Sequence, residues 1–216
     1  MYQQFGKRTL DLTVATTALV ILVLPMAIVA VWVMVDSRGP ILFKQLRSGR
    51  NRTPFLVYKF RTMSIDAPKN APTNELKDAA SFITRSGKIM RKLSLDELPQ
   101  LFNVVKGEMS LVGPRPVVLN ETNLLELRAA VAANDVKPGI TGWAQVNGRD
   151  ELNDIIKSRM DGEYVANFGF KMDVKCLVYT FAAVLSLKGQ REGHEISAAD
   201  IFSEVASDRH LVTDEG

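Results

Sequence analysis

Two adjacent carboxylates, Asp96 and Glu97, lie in the segment Ser94–Gln100, directly after the cations Arg91 and Lys92. An ionised aspartate can attack phosphorus, and a neighbouring carboxylate can help to hold a divalent cation that offsets the charge of a diphosphate. Both Arg91 and a helix start at this point favour the ionised form of a carboxylate. The spacing therefore indicates chemistry on a phosphorylated substrate.

A purely structural explanation of the same residues stays open. Ser94-x-x-Glu97 matches a capping box, in which the glutamate closes the start of a helix. An aspartate in a first helical turn is also electrostatically favoured without any function. The pattern predicts a helix over Ser94–Lys106 that Gly107 stops, although Pro99 also suits the first helical position.

Arg91 is a candidate phosphate ligand, and basic side chains in two other segments are further candidates. The segment Met109–Pro116 places Arg115 between two prolines. The second proline biases Arg115 toward an extended backbone, and a planar guanidinium on a stiff loop suits phosphate oxygens. Lys59 and Arg61 end a predicted strand, and each is equally compatible with a solvent-facing position.

The stretch Pro138–Arg149 is dense in glycine and amide side chains. It predicts either a loop that wraps a nucleotide, with Gln145 and Arg149 as candidate ligands, or simply a tight turn. The sequence has no G-x-G-x-x-G pattern, and Ser86-Gly87-Lys88 lacks the other residues of a Walker loop. A kinase or a Rossmann-type enzyme is therefore disfavoured.

Charge is distributed unevenly over the 216 residues. The segment 192–216 holds seven acidic residues and one arginine, a net charge of −6, so residues 1–191 carry +9. A basic body suggests anionic lipid headgroups or phosphates as partners. With one cysteine, Cys176, and two histidines, a disulfide framework and a zinc site are disfavoured, and Mg²⁺ held by carboxylates is the expected metal.

A long uncharged run, Leu12–Val35, indicates a membrane helix. Its 24 residues would form a helix of roughly 36 Å, long enough to span a bilayer. Pro25 near the middle predicts a kink. Lys7 and Arg8 precede the run and five basic residues follow it by position 52, so a re-entrant helix that keeps both flanks in the cytoplasm is favoured over a straight span.

The remaining pattern predicts an α+β, mostly helical chain with a short β-hairpin and interfacial helices. The predicted elements are strands at Ile41–Phe43 and Phe55–Phe60 around a turn at Arg50–Thr53, a surface loop at Asp66–Asp78, and helices at Ser86–Lys92, Glu121–Ala133, Asn153–Asn167 and Met172–Leu187. The last of these is expected at the membrane interface or in the core. We divide the chain into a re-entrant helix at 1–36, a catalytic domain at 37–191 and an acidic tail at 192–216.

Several motifs in one order resemble those of the bacterial sugar transferase family, monotopic polyprenyl-phosphate phosphoglycosyl transferases. The resemblance covers about Phe5–Leu187. The motifs are Lys7-Arg8-x-x-Asp11, Asp36-Ser37-x-Gly39-Pro40, Lys59-Phe60-Arg61-Thr62-Met63, Ser94–Gln100, Gly107–Pro116 and Pro138–Arg149. Their order and number make the resemblance more specific than any one motif.

The resemblance implies a two-step reaction that needs Mg²⁺. Asp96 is expected to attack the β-phosphate of a UDP-sugar and release UMP, with Glu97 as its dyad partner and both carboxylates at the metal. Polyprenyl (undecaprenyl) phosphate then accepts the sugar phosphate. The resemblance also implies a re-entrant helix at the cytoplasmic face of the bacterial inner membrane. Nucleic acid is not an expected partner, and the sequence does not indicate an oligomeric state.

Two residues depart from the family pattern. Leu24 precedes Pro25 at the expected membrane bend, where relatives often carry serine, and Arg52 replaces a frequent glycine. Neither departure touches the dyad. Two other functions stay open, namely a membrane-associated scaffold without catalysis and a phosphatase that forms an aspartyl phosphate.

Overall fold

The computed structural model of the chain describes residues 2–67, 79–148 and 152–185. Most of the predicted loop at 66–78, Arg149 and the acidic tail lie outside the described residues. The helices are α1 (Lys7–Asp36), α2 (Ala79–Phe82), α3 (Arg85–Lys92), α4 (Gln100–Lys106), α5 (Thr122–Ala130), α6 (Trp143–Val146), α7 (Asp154–Ala166) and α8 (Phe170–Leu185). The strands are β1 (Leu42–Ser48), β2 (Pro54–Phe60), β3 (Ser110–Val112) and β4 (Gly139–Thr141). The described part of the chain is thus mostly helical with a short β-hairpin, as predicted, and it contains a second small sheet that was not predicted.

α1 is a single helix of 30 residues that is long and apolar enough to cross a membrane by length and composition. One face of it packs against the rest of the chain along its length, through Lys7, Asp11, Ala15, Leu19, Leu22, Val29 and Val33. The opposite face exposes apolar side chains, among them Val20, Ile21, Val23, Leu24, Ile28 and Val35. The helix continues through the exposed Pro25, and its path in a membrane stays a prediction.

Polar side chains fasten the first turns of α1 to the body. The Lys7 Nζ donates to Asp173 Oδ2 of α8 at 2.7 Å, with both side chains nearly buried. The Arg8 guanidinium donates to two carbonyls in the last turn of α4, where cations complement the helix dipole. Asp11 Oδ1 accepts the Leu111 amide of β3 at 3.0 Å. The first family motif therefore docks the helix.

The far end of α1 is fastened as well. Asp36 Oδ2 accepts hydrogen bonds from the Ser86 amide and hydroxyl at the start of α3, at 2.9 and 2.8 Å. Arg61 is 5% exposed, and its guanidinium donates to the carbonyls of Ser37 and Pro40, where the chain leaves α1. Both ends of α1 therefore contact the same body.

The β-hairpin is confirmed and is longer than predicted. β1 and β2 pair antiparallel from Leu42 opposite Phe60 to Ser48 opposite Pro54. The turn between them places Asn51 and Arg52 at positive φ, where Arg52 stands in place of the frequent glycine. The inward side chains of β2 join the core that forms beneath α1.

The predicted helix over Ser94–Lys106 is wrong in its first half. A three-residue 3₁₀ turn at Leu95–Glu97 comes first, and α4 begins only at Gln100. Ser94 adopts φ 55° and makes no side-chain capping bond, so the capping box does not form. The predicted stop at Gly107 is confirmed, since its φ of 87° ends the helix in the left-handed region.

The other predicted helices are confirmed within three residues at each described end, as α3, α5, α7 and α8. Asn153 caps α7 by accepting the Ile156 amide at 2.9 Å. The stretch predicted as turn-rich contains β4 and the short α6, and β4 pairs with β3 in parallel.

Candidate active site

The dyad lies on a sharp turn between α3 and α4. Ser94 holds a left-handed backbone conformation, which costs a residue other than glycine roughly 1–2 kcal/mol. The 3₁₀ turn that follows packs against β2 and α3 and carries Asp96 and Glu97 in successive positions. Such local strain is often found where side chains must be aimed at a ligand.

Two cations from different parts of the chain converge on Glu97. Lys59 Nζ from β2 lies 2.7 Å from Glu97 Oε1, and Arg115 Nη1 lies 3.4 Å from the same oxygen. Burial by itself raises the pKa of Glu97, but the charges of Lys59 and Arg115 outweigh burial and lower this pKa to about 2. Glu97 is therefore ionised at neutral pH.

The surroundings of Asp96 act in the opposite direction. Burial raises the pKa of Asp96, and the negative charge of Glu97 adds to the rise. The cations Lys59, Arg91 and Arg115 oppose this shift without cancelling it. Arg91 lowers the pKa of Asp96 as predicted, but burial dominates and the net shift is upward. The predicted contribution of a helix start is wrong, because the α-helix starts four residues later. Two carboxylates with separated pKa values suit two different roles.

A cleft opens beside Glu97 between β2, the start of α4 and β4. Its lining residues are Arg47, Val57, Lys59, Glu97, Gln100, Arg115, Pro116, Gly139 and Ile140. Three of these residues, Arg47, Lys59 and Arg115, are cations. The arrangement suits an anionic group such as a phosphate.

The segment Pro114–Pro116 is held through all three of its carbonyl groups. The Gly139 amide donates to the Pro114 carbonyl at 2.9 Å. Arg128 Nη1 donates to the Arg115 carbonyl at 2.9 Å, and Arg47 Nη1 donates to the Pro116 carbonyl at 3.3 Å. The segment is therefore a fixed platform for the Arg115 side chain, as the two prolines predict.

Arg91 and Arg61, two further predicted phosphate ligands, lie at different places in the structure. Arg91 Nε donates to Thr62 Oγ1 at 3.0 Å, and Arg91 is near enough to Asp96 to lower its pKa. The described hydrogen bonds of Arg61 are with the backbone at the exit of α1. Its contacts give Arg61 a role in positioning the chain there, and its phosphate contact stays a prediction.

Gln145 lies behind the cleft in α6. Its Nε2 donates to the Ile140 carbonyl at 2.9 Å, which fixes the side chain beside a residue that lines the cleft. Its Oε1 is buried and has no hydrogen-bond partner among the described residues. A ligand contact by Gln145 or by Arg149 stays a prediction, and Arg149 lies outside the described residues.

The residues that could hold a metal ion are the two carboxylates of the dyad. The described part of the chain contains no cluster of three or more histidine, cysteine, aspartate or glutamate side chains. Both described cation contacts of Glu97 end at Oε1. Two carboxylates fit Mg²⁺, which usually takes one or two from protein and the rest from phosphate and water.

Sequence reasoning missed two arginines that support the loop, Arg47 and Arg128. Arg128 belongs to a buried ion pair with Asp161 of α7. The two partners are 33 residues apart, and a single charge on a helix gives no local signal of its burial. The sequence signal for the burial of Arg128 is its position on the same helix face as Leu124 and Leu125.

Comparison with known proteins agrees with this geometry. The family model described as bacterial sugar transferase matches residues 2–187. The chain is 41% identical over 196 residues to the uncharacterized sugar transferase EpsL of Bacillus subtilis, covering 89% of this chain and 93% of that protein. It is 41% identical over 193 residues to the undecaprenyl-phosphate glucose phosphotransferase of Komagataeibacter xylinus, covering 83% of this chain and 36% of that protein.

A third relative is the UDP-N-acetylgalactosamine-undecaprenyl-phosphate N-acetylgalactosaminephosphotransferase of Aeromonas hydrophila. It is 36% identical over 192 residues, which cover 87% of this chain and 45% of that protein. The chain thus spans less than half the length of these two named phosphotransferases. The relatives named for an undecaprenyl-phosphate reaction are sugar phosphotransferases, which are phosphoglycosyl transferases by class. The chain belongs to the bacterial sugar transferase family.

Proposed function

We propose that the chain transfers a sugar 1-phosphate from a UDP-sugar to polyprenyl phosphate and releases UMP. The observation that carries the proposal is the dyad, in which Glu97 is paired with Lys59 and Arg115 while Asp96 is left with a raised pKa. Such a reaction would be the first membrane step in assembling a glycan. The names of the relatives support the general reaction.

Asp96 is the proposed nucleophile. An oxygen of its carboxylate attacks the β-phosphorus of the UDP-sugar, and the bond from that phosphorus to the bridging oxygen breaks. UMP leaves with the bridging oxygen, and the sugar phosphate stays on Asp96 as an acyl phosphate. A phosphate oxygen of polyprenyl phosphate then attacks the same phosphorus and releases the carboxylate.

The cations around the cleft would bind the charge that moves during this exchange. Arg115 on its fixed segment and Lys59 on β2 are placed to contact phosphate oxygens, and preorganised cations stabilise a transition state more than mobile ones do. Asp96 and Glu97 would hold Mg²⁺, which neutralises diphosphate charge when it is bound. The two contacts on Glu97 hold the cations in position before the substrate arrives.

We also propose that α1 enters and leaves the membrane on the cytoplasmic face of the bacterial inner membrane. The contacts at both ends of the helix with one body support this arrangement, because a straight span would carry one end away from the body. The exposed apolar face around Leu24 and Pro25 would lie in lipid.

The reaction is tested with the full chain in lipid nanodiscs, a panel of UDP-sugars and Mg²⁺, without polyprenyl phosphate. We expect a burst of UMP of up to one equivalent per enzyme, and mass spectrometry of the quenched protein should find the sugar phosphate on a peptide that contains Asp96. Asp96→Asn should abolish both signals. The exposed Asp135→Asn serves as a matched control and should leave them intact.

Other outcomes separate the remaining functions. UMP release that strictly requires polyprenyl phosphate, with no trapped adduct, would show direct attack and reassign the dyad. Continuous release of free sugar phosphate without lipid would indicate a phosphatase. A chain that releases UMP from no UDP-sugar would contradict the proposal and favour a scaffold.

A further inference from the structure

The ion pair between Arg128 and Asp161 lies in the interior, between α5 and α7. Arg128 is 4% exposed and Asp161 is 1% exposed. Arg128 Nε donates to Asp161 Oδ2 at 2.8 Å, and Nη2 lies 2.7 Å from the same oxygen in an ion pair. The third nitrogen, Nη1, donates to the Arg115 carbonyl. One guanidinium thus joins α7 to the loop that carries the proposed phosphate ligand.

A buried ion pair is a poor way to gain stability alone. Desolvation of two charges offsets much of their attraction, and apolar side chains of similar volume often stabilise a protein as well or better. An apolar pair could fill the space between α5 and α7, but it could not donate a hydrogen bond to the Arg115 carbonyl. The carbonyl contact is therefore the property that only the charged pair provides.

The segment Pro114–Pro116 depends on such outside donors. A proline has no amide hydrogen, so the segment contains a single N–H group and must be held largely through its carbonyls. Arg128 holds the central carbonyl from behind, and the Arg115 side chain extends to Glu97 on the side of the cleft. A second cleft behind the segment is lined by Arg115, Arg128, Leu125 and Asn134.

We propose that Arg128, oriented by Asp161, is a positioning residue that sets the location of the Arg115 guanidinium for phosphate binding. This inference rests on the proposed role of Arg115 in the reaction. Arg128 acts through the backbone of Arg115 and does not contact the substrate. Asp161 orients the Arg128 guanidinium at one carboxylate oxygen, which accepts the Nε hydrogen bond and forms the ion pair with Nη2.

The test substitutes Arg128→Lys, which keeps the charge beside Asp161 and removes the planar fork. We expect kcat/KM for UMP release to fall by about 10- to 100-fold, because displacement of a catalytic group by about an ångström has effects of this size. Arg52→Lys is the matched control, since Arg52 donates to the Leu125 carbonyl on the same helix and makes no described contact with the loop. It should retain wild-type activity.

A double-mutant cycle separates positioning from general loss of structure. In an Arg115→Lys background, Arg128→Lys should lower kcat/KM by less than about threefold, because its effect passes through a residue already removed. If Arg128→Lys lowered kcat/KM by the same factor in both backgrounds, Arg128 would support only the folded structure, and the proposal would be overturned.

Hydrogen exchange gives a readout that does not depend on activity. Amides in the peptide Leu111–Leu119 should exchange faster in Arg128→Lys than in the wild type or in Arg52→Lys, because one restraint on the loop is lost. Unchanged exchange would overturn the positioning proposal even if the wild type proved inactive. Faster exchange in Arg128→Lys, together with an inactive wild type, would contradict only the proposed reaction. Should Arg128→Lys fail to fold, Asp161→Asn allows the same measurement with nearly unchanged side-chain volume.

Discussion

Asp96 and Glu97 are neighbours in sequence, yet their surroundings shift their pKa values in opposite directions. The shift of Asp96 depends on burial first and then on the charges that face it. Glu97 raises the pKa of Asp96, and Lys59 lowers it. These opposing signs allow the proposed nucleophile to be identified from the pH dependence of the first half-reaction.

The acid limb of the rate of UMP release should report the pKa of Asp96, because the protonated carboxyl cannot attack phosphorus. Glu97→Gln removes a negative neighbour, so the pKa of Asp96 falls and the limb moves to lower pH. Lys59→Met removes a positive neighbour, so the pKa of Asp96 rises and the limb moves to higher pH. Single-turnover UMP release measured from acidic to neutral pH provides the data.

Lys44→Met is the control for these shifts, because Lys44 is an exposed lysine on the neighbouring strand and does not line the cleft. It should leave the limb in place. If the acid limb moved in the same direction in Glu97→Gln and Lys59→Met, it would report the pKa of a group other than Asp96.

Three glycines, Gly113, Gly139 and Gly142, pack closely together beside the segment Pro114–Pro116. A Cβ at Gly139 would lie 2.1 Å from the Gly113 nitrogen and 2.3 Å from the Thr141 oxygen, and a Cβ at Gly142 would lie 2.1 Å from the Gly113 oxygen. These distances leave no room for a side chain where β3 and β4 approach. The glycines allow the backbone donor at position 139 to reach the Pro114 carbonyl.

Gly139→Ala should therefore separate β3 from β4 and displace the loop. We expect a loss of stability of about 1–3 kcal/mol, typical of overpacking, together with a strong loss of UMP release. Thermal unfolding and activity measure the two effects. Gly169→Ala is the matched control, since the nearest atom to its Cβ would be 3.7 Å away, and a comparable loss in that variant would remove the argument from close packing.

The sequence predicted the helices and the hairpin because their signals are local. Gly107 stops α4 through its positive φ, Asn153 caps α7, and β2 is mostly apolar. The β3–β4 pair could not be predicted, since each strand has three residues and they are far apart in the chain. The turn at Ser94 was also missed, because a serine there normally indicates a cap and its left-handed backbone is imposed by tertiary packing.

The candidate site also combines features that have local sequence signals with features that depend on long-range packing. The dyad and Arg115 could be proposed from the sequence because their motifs place the candidate groups within a few residues, and their roles stay predictions. The separated pKa values required knowledge of burial, and the Arg128–Asp161 pair required the packing of α5 against α7. Long-range contacts of this kind leave no periodic trace in the sequence.

Because both ends of α1 contact the same body, we expect thiols placed at the two ends to be equally accessible to a reagent. In a Cys176→Ala background, Phe5→Cys and Lys88→Cys place exposed thiols beside opposite ends of α1. A membrane-impermeant maleimide added to intact cells should label neither site, and both should be labelled after the membrane is opened. Labelling of Phe5→Cys alone in intact cells would establish a span.

Leu24→Cys is the control for the middle of the helix, where the side chain is 68% exposed on the apolar face. It should resist the reagent before and after opening of the membrane if that face lies in lipid. Rapid labelling in intact cells would place the middle of α1 at the outer surface.

The ion pair between Lys7 and Asp173 also constrains the order of folding during synthesis. The two residues are separated by 166 positions, so the ribosome completes most of the chain before the partner of Lys7 exists. Chains fold from the N-terminus as they emerge, and contacts of large sequence separation form late. The ion pair at the first turn of α1 therefore forms only after α8 has emerged from the ribosome, which makes closure of the body around this helix a late step of folding.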